Sequence, residues 1–255
     1  MIHPGLVSVT FRKLSPREIA ALVRQAGLKG IEWGGDVHVP SGDLGRAREV
    51  REITQENGLG VAAYGSYYRV GQSESAGMSF ERVLATAVEL GAPTIRVWAG
   101  GAGSDATDED GRWKIIQDLR RIADLAARSS VTISTEFHGG TLTDTNESAS
   151  RLLVETDHPN VLTLWQPHNG EETAECVRGL REVLPKVGNI HVFHWWPTSA
   201  ERHPLAEGAE RWAKFWPLLR KAPGDRFALL EFVQGEDTAA FLRDAVTLKA
   251  WLAQA

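Results

Sequence analysis

The chain has 255 residues, 42% of them hydrophobic and 24% charged, with a net charge of −5. That composition excludes a disordered chain, and it lacks the basic excess of a protein that neutralises many phosphates, so no nucleic-acid partner is expected. A single cysteine, Cys176, excludes an internal disulfide, the N-terminus lacks a signal-peptide pattern, and no apolar run approaches the ~18 residues of a membrane span; a cytoplasmic protein without a membrane partner is expected.

In chain order, eight short apolar runs alternate with eight amphipathic stretches. Strand 6–11 precedes helix 16–26, in which Ser15, Pro16 and Glu18 supply an N-cap, a first-turn proline and the spacing of a capping box. Strand 30–34 and helix 44–57 follow, then strand 60–65 and helix 80–90. Gly27, Gly58 and Gly91 close the first three helices, where a left-handed residue favours glycine. The pairs 94–99 with 112–128, 131–137 with 148–155, 161–166 with 172–184, 190–195 with 210–221 and 227–232 with 238–254 complete the chain.

Parallel neighbours cannot be joined by tight turns, so strict alternation predicts right-handed crossovers. Eight such units close most economically as an α/β fold of the (βα)8 TIM barrel type, read here as one domain over residues 1–255. The dinucleotide fingerprint of an open doubly wound sheet is missing, and Gly100, Gly101 and Gly103 read as loop.

Function in such a barrel is read from the C-terminal ends of its strands. Glu136 and Glu231 end apolar strands five and eight, where an ionised carboxylate needs compensation such as a divalent cation. Strand parity places Glu136 on the more polar face with Thr132, Ser134 and His138. It also places His191 and His194 on opposite faces of strand seven, so that one of them points inward. His191 reads as a structural residue near the start of its strand, and His38 and His203 read as solvated loop residues. Glutamates, histidines and one amide without cysteine suit Mn, Mg, Co or Zn.

Nine tryptophans are unusual beside three tyrosines. Trp33, Trp98, Trp165, Trp195 and Trp196 fall at the C-terminal ends of strands, where aromatic faces could wall a sugar pocket. The other four fall on helices.

These residues resemble the xylose isomerase-like barrels of sugar isomerases and epimerases, which also include endonuclease IV. The similarity runs from the opening Gly-Leu-Val-Ser-Val through Gly30-Ile31-Glu32-Trp33 and His203-Pro204-Leu205-Ala206-Glu207-Gly208 to the closing Leu-Leu-Glu-Phe. The resemblance implies a metal held by Glu136, by the strand-six position, by His194 and by Glu231. Strand six departs from the usual Asp: it carries Gln166, whose carbonyl oxygen can still coordinate a hard cation. Strands three and four lack the further ligands of a three-metal endonuclease site, which argues against DNA repair.

The implied activity is metal-dependent isomerisation or epimerisation of a small ketose or polyhydroxy ketone, with proton transfer between Glu136 and Glu231. His138, His168, Arg202, Trp33, Trp98, Trp165 and Trp195 are the expected substrate contacts. Two alternatives share the scaffold: a lyase or dehydratase acting on a keto-sugar or keto-polyol, and a sugar-binding relative without metal. The expected partner is a small carbohydrate. Barrels of this kind often pair through their surface helices, so a homo-oligomer is compatible with the sequence.

Overall fold

A computed structural model describes residues 1–254, and Ala255 lies outside the described residues. Eight parallel strands close in sequence order, β1 (Ile2–Val7), β2 (Gly30–Gly34), β3 (Gly60–Arg69), β4 (Thr94–Trp98), β5 (Thr132–Glu136), β6 (Val161–Trp165), β7 (Val187–Val192) and β8 (Arg226–Leu230), with β8 paired back to β1. Around them lie α1 (Pro16–Gln25), α2 (Leu44–Glu56), α3 (Phe80–Leu90), α4 (Glu109–Ala127), α5 (Asn146–Thr156), α6 (Thr173–Val183), α7 (Ala209–Leu219) and α8 (Thr238–Ala253). No described helix is long and apolar enough to cross a membrane.

The local signals act as their chemistry requires. Ser15 and Glu18 exchange both capping-box bonds at the start of α1, and Gly27, Gly58 and Gly91 adopt positive φ. Three strands differ from the sequence reading by more than one or two terminal residues. The first lies earlier, because Ser8–Phe11 forms a single turn of 3-10 helix instead of extending the strand. The third is longer, with Arg69 paired to Trp98 of β4. The seventh begins at Val187 and ends at Val192, so His191 stands at its C-terminal end and His194 lies beyond it.

Alternation along each strand divides the apolar residues into two layers. Leu6, Ile31, Ile95, Val97, Ile133, Ile190, Val192 and Leu230 face the helices in the main core. Val7, Val9, Ala62 and Leu229 form a small separate cluster inside the barrel. Asn189 crosses that interior: its amide donates to the Ala62 carbonyl at 3.0 Å and its oxygen accepts from the Phe227 N–H at 2.9 Å.

The floor is closely packed. A Cβ on Gly30 would come within 2.4 Å of the Phe227 ring, and one on Gly5 within 2.6 Å of the Gly30 carbonyl. Overpacking of a filled interior typically costs about 1–3 kcal/mol. Gly30→Ala should lower stability by that amount, read from urea midpoints at unchanged m-value; an unchanged midpoint would show that the Phe227 ring is free to move aside.

Candidate active site

The site is built on an ion network at the upper end of the barrel interior. Arg96, the lone charge inside the apolar β4, places Nε 2.9 Å from Glu32 Oε1 of β2 and Nη1 2.7 Å from Glu136 Oε2 of β5. Glu32 Oε2 lies 3.3 Å from His191 Nε2 on β7. The other imidazole nitrogen, Nδ1, lies 3.1 Å from Gln166 Oε1, 3.3 Å from Glu231 Oε2 and 3.6 Å from Glu136 Oε1. Gly65 makes room for the network: a Cβ there would meet both Arg96 Nη2 and Glu32 Oε1 at 2.8 Å.

All of these side chains are buried. Burial alone would raise the Glu32 carboxyl, but His191 and Arg96 outweigh it and hold the group below the usual carboxylate range. Burial alone would also strip the proton from His191, yet Glu231 and Glu32 overcome it and push the imidazole up to about 10. Arg96 is likewise raised, its burial outweighed by Glu136, Glu32 and Glu231.

Among the described residues, Glu136, His191 and Glu231 form a group able to hold a metal ion, with one ligand atom from each lying within 4.8 Å of the others. Gln166 adds an amide oxygen beside the same imidazole nitrogen. Its orientation is fixed, since its NH2 donates to the Phe137 carbonyl at 2.7 Å and so turns the oxygen inward. Two carboxylates, an imidazole and an amide oxygen fit a hard or borderline divalent cation. Binding would have to displace the His191 proton, because only a neutral imidazole ligates.

Above the network lies a cavity of about 620 Å³, lined in part by Trp98, His138, His168, Trp195 and Arg202. Trp98 Nε1–H donates to Glu136 Oε2 at 2.5 Å. His138 Nδ1 lies 2.6 Å from the Gly139 carbonyl, which can only accept, so Nδ1 is the donor and, in the neutral ring, the lone pair sits on Nε2. His168 stacks on Phe137 at 4.9 Å, and burial pushes it down to about 4, leaving it neutral at pH 7.

Glu136, Gln166 and Glu231 therefore converge, whereas other expected residues do not. His194, expected as the strand-seven ligand, packs against Gly208 and lies 5.5 Å from the His203 ring, outside the cavity lining. Parity explains the correction: His191 shares the inward face with Asn189, while Ile190 and Val192 face the helices and the strand has ended before residue 194. Trp33 and Trp165 are likewise no pocket wall. Both stand at outward positions; Trp33 Nε1–H donates to Thr54 of α2, and Trp165 packs edge-on against Trp212 and Phe215 of α7. Trp196 also lies outside the cavity lining.

Two loop histidines differ from their expected roles. His203 is half-buried and bonded to the Trp196 carbonyl. His38 is buried, with Nδ1 2.9 Å from Ser8 Oγ and Nε2 3.2 Å from the Leu14 carbonyl. The residues to which the sequence reading gave no role at the site are Glu32, Arg96, Arg12 and Tyr67. The available signal was an isolated charge at an inward position of an apolar strand, seen at both Glu32 and Arg96.

Residues 20–248 match the family model of the xylose isomerase-like TIM barrel. The chain belongs to that family. A 3-dehydroshikimate dehydratase from Bacillus anthracis is 25% identical over 195 residues, 73% of this chain and 70% of that protein. A crystal structure of a probable 3-DHS dehydratase from the same organism superposes with a TM-score of 0.79 at 20% identity, covering 100% of both chains. The 3-keto-D-glucoside 4-epimerase of E. coli gives a TM-score of 0.72 at 20% identity, again over 100% of both. Similarity thus extends to dehydratases and epimerases on one scaffold.

Arg96→Met should destabilise the protein by about 3–5 kcal/mol, because it strands Glu32 and Glu136 without their cation; in a denaturant titration, Glu32→Gln in the same chain should restore part of the loss. Burial holds His38 below the ordinary histidine range, against the opposing pull of the Leu14 carbonyl. As pH falls through the unfolded value of about 6.5, the unfolded chain takes up a proton that the folded chain refuses, and stability drops. Urea midpoints at two pH values, near neutrality and about two units lower, should separate more in wild type than in His38→Gln.

Proposed function

We propose that the protein is a metal-dependent lyase that removes water from a small keto-polyol, with 3-dehydroshikimate as the first substrate to test. The observation that carries this reading is the Nδ1 contact of His138 with the Gly139 carbonyl, which in the neutral ring reserves Nε2 as a base on a side chain lining the cavity above the cation ligands. The curated relative supports the same direction.

Glu136, Gln166, His191 and Glu231 would hold a divalent cation, which when bound supplies Lewis-acid polarisation of the substrate carbonyl. Glu136 is poorly placed to shuttle protons itself: Oε2 accepts from both Arg96 and Trp98, while Oε1 faces His191. In this reading it holds rather than transfers. His138 Nε2 removes the proton from the carbon next to the carbonyl, and the C–H electrons move toward the carbonyl oxygen. When they return, a C=C bond forms, the bond to the β-hydroxyl breaks, and His138 gives its proton to the departing oxygen, releasing water.

His168 Nε2 and Asp144 Oδ1 are buried without a partner among the described residues, and both residues line the cavity. Trp98 and Trp195 close the apolar part of the wall and limit water around the base.

The epimerase reading has its own support in the way Glu136 and Glu231 approach His191 from two strands. Mass spectrometry of reactions run in D2O separates the two. A lyase yields product lighter by one water; an epimerase yields deuterated product of unchanged composition. His138→Gln should lower the rate of water loss by roughly 10²–10⁴ with the cation still bound, and a wild-type rate in that variant would remove His138 as the base.

A further inference from the structure

The cavity has two unlike walls. His138, Asp144 and His168 from the loops after β5 and β6 form one, rich in hydroxyl-binding groups. Arg12, from the turn after β1, and Arg202, from the loop after β7, stand on the other with Phe232 between them. The Arg12 guanidinium carbon lies 5.4 Å and the Arg202 carbon 4.6 Å from the centre of the Phe232 ring, so the two lie within about 10 Å of each other.

This wall is held in place by the chain itself. Phe232 follows Glu231 with φ +42°, a left-handed conformation rare for a large side chain. Its N–H donates to Thr10 Oγ1 at 3.0 Å and its carbonyl accepts from Trp195 Nε1 at 3.2 Å. Trp195 and Arg202 are bridged as an antiparallel pair, which stiffens the loop that carries Arg202. Arg12 is fixed by Asp36 at 2.8 Å, by the Val9 carbonyl at 3.2 Å and by Tyr67 at 3.0 Å.

Both guanidiniums keep donors for a ligand. Each carries five N–H groups; three from Arg12 bond within the chain, and one from Arg202 bonds Glu236. Planar guanidinium groups match a carboxylate in geometry as well as charge.

We propose that Arg12 and Arg202 form a carboxylate-binding subsite that restricts the enzyme to acidic keto-polyols. This rests on the lyase reading and deepens it, since a neutral ketose would leave the cationic wall unused. It also fixes an orientation. The acid group sits against the arginines, away from the buried glutamates that would repel it, and the hydroxyls turn toward His138, Asp144 and His168.

The test compares 3-dehydroshikimate with its methyl ester, which is matched in shape and uncharged, by tryptophan fluorescence titration and by steady-state kinetics on the cation-loaded protein. Wild type should bind the acid roughly 10- to 100-fold more tightly than the ester, the range expected for a charge-assisted contact. Arg12→Met and Arg202→Met should each erase most of that preference, through KM more than kcat, and Arg202→Lys should recover part of it. Equal binding of acid and ester by wild type would overturn the subsite, as would variants that weaken acid and ester alike, a ketose phosphate that outcompetes the acid, or binding of neither. The two readings fail separately. Tight, arginine-dependent binding of the acid without release of water would keep the subsite and end the lyase reading, whereas equal dehydration of acid and ester would do the reverse.

Discussion

One guanidinium organises the upper half of this barrel. Arg96 reaches sideways from β4 to bind Glu32 on one side and Glu136 on the other. Glu32 in turn holds the far nitrogen of His191. The orientation of three groups therefore depends on one buried cation: the Glu136 carboxylate, the Glu32 carboxylate and, through Glu32, the imidazole that faces Glu231. Buried charges are costly unless paired and hydrogen-bonded, and here Arg96, Glu32, Glu136 and His191 each have at least two partners. The candidate ligand cluster is thus held in place by Arg96 and Glu32, much as a carboxylate behind a ligating histidine orients it.

The same arrangement bears on how one scaffold serves both dehydratases and epimerases. Their chemistries begin alike, with a proton leaving a carbon beside a polarised carbonyl, and diverge only in what receives the electrons next. A site that fixes its carboxylates through arginine and tryptophan donors reduces their freedom to exchange protons. In the lyase reading proposed above, the task falls to a residue outside that cluster. In this chain the imidazole nearest that role is set by a single carbonyl, that of Gly139.

Much of this was legible in the sequence, because it follows from periodicity. Strand and helix alternation gave the closed barrel, and period-two parity turned Glu136 inward. The failures have a common cause. Parity is reliable only where the ends of a strand are known, and β7 begins three residues before the apolar run that marks it, so His191 and His194 exchanged roles. The tryptophans at residues 33 and 165 lie at strand ends as expected but on outward positions, and proximity along the chain says nothing about face. Arg96 and Glu32 were hidden because their partners lie on strands far apart in sequence; a lone charge in an apolar strand announces that a partner exists but does not name it.

Gln166 carries a consequence of its own. Its amide performs two tasks at once, offering an oxygen to the ligand cluster while its nitrogen ties β6 to the Phe137 carbonyl at the end of β5. A carboxylate at this position could do the first and not the second, since it has no proton to donate and would set its charge against a carbonyl oxygen. Restoring the acid more usual in the family would therefore be no simple reversion. It would strengthen the negative field of the cluster while opening a seam between two strands, so the residue at position 166 and the path of the loop after β5 are bound to change together.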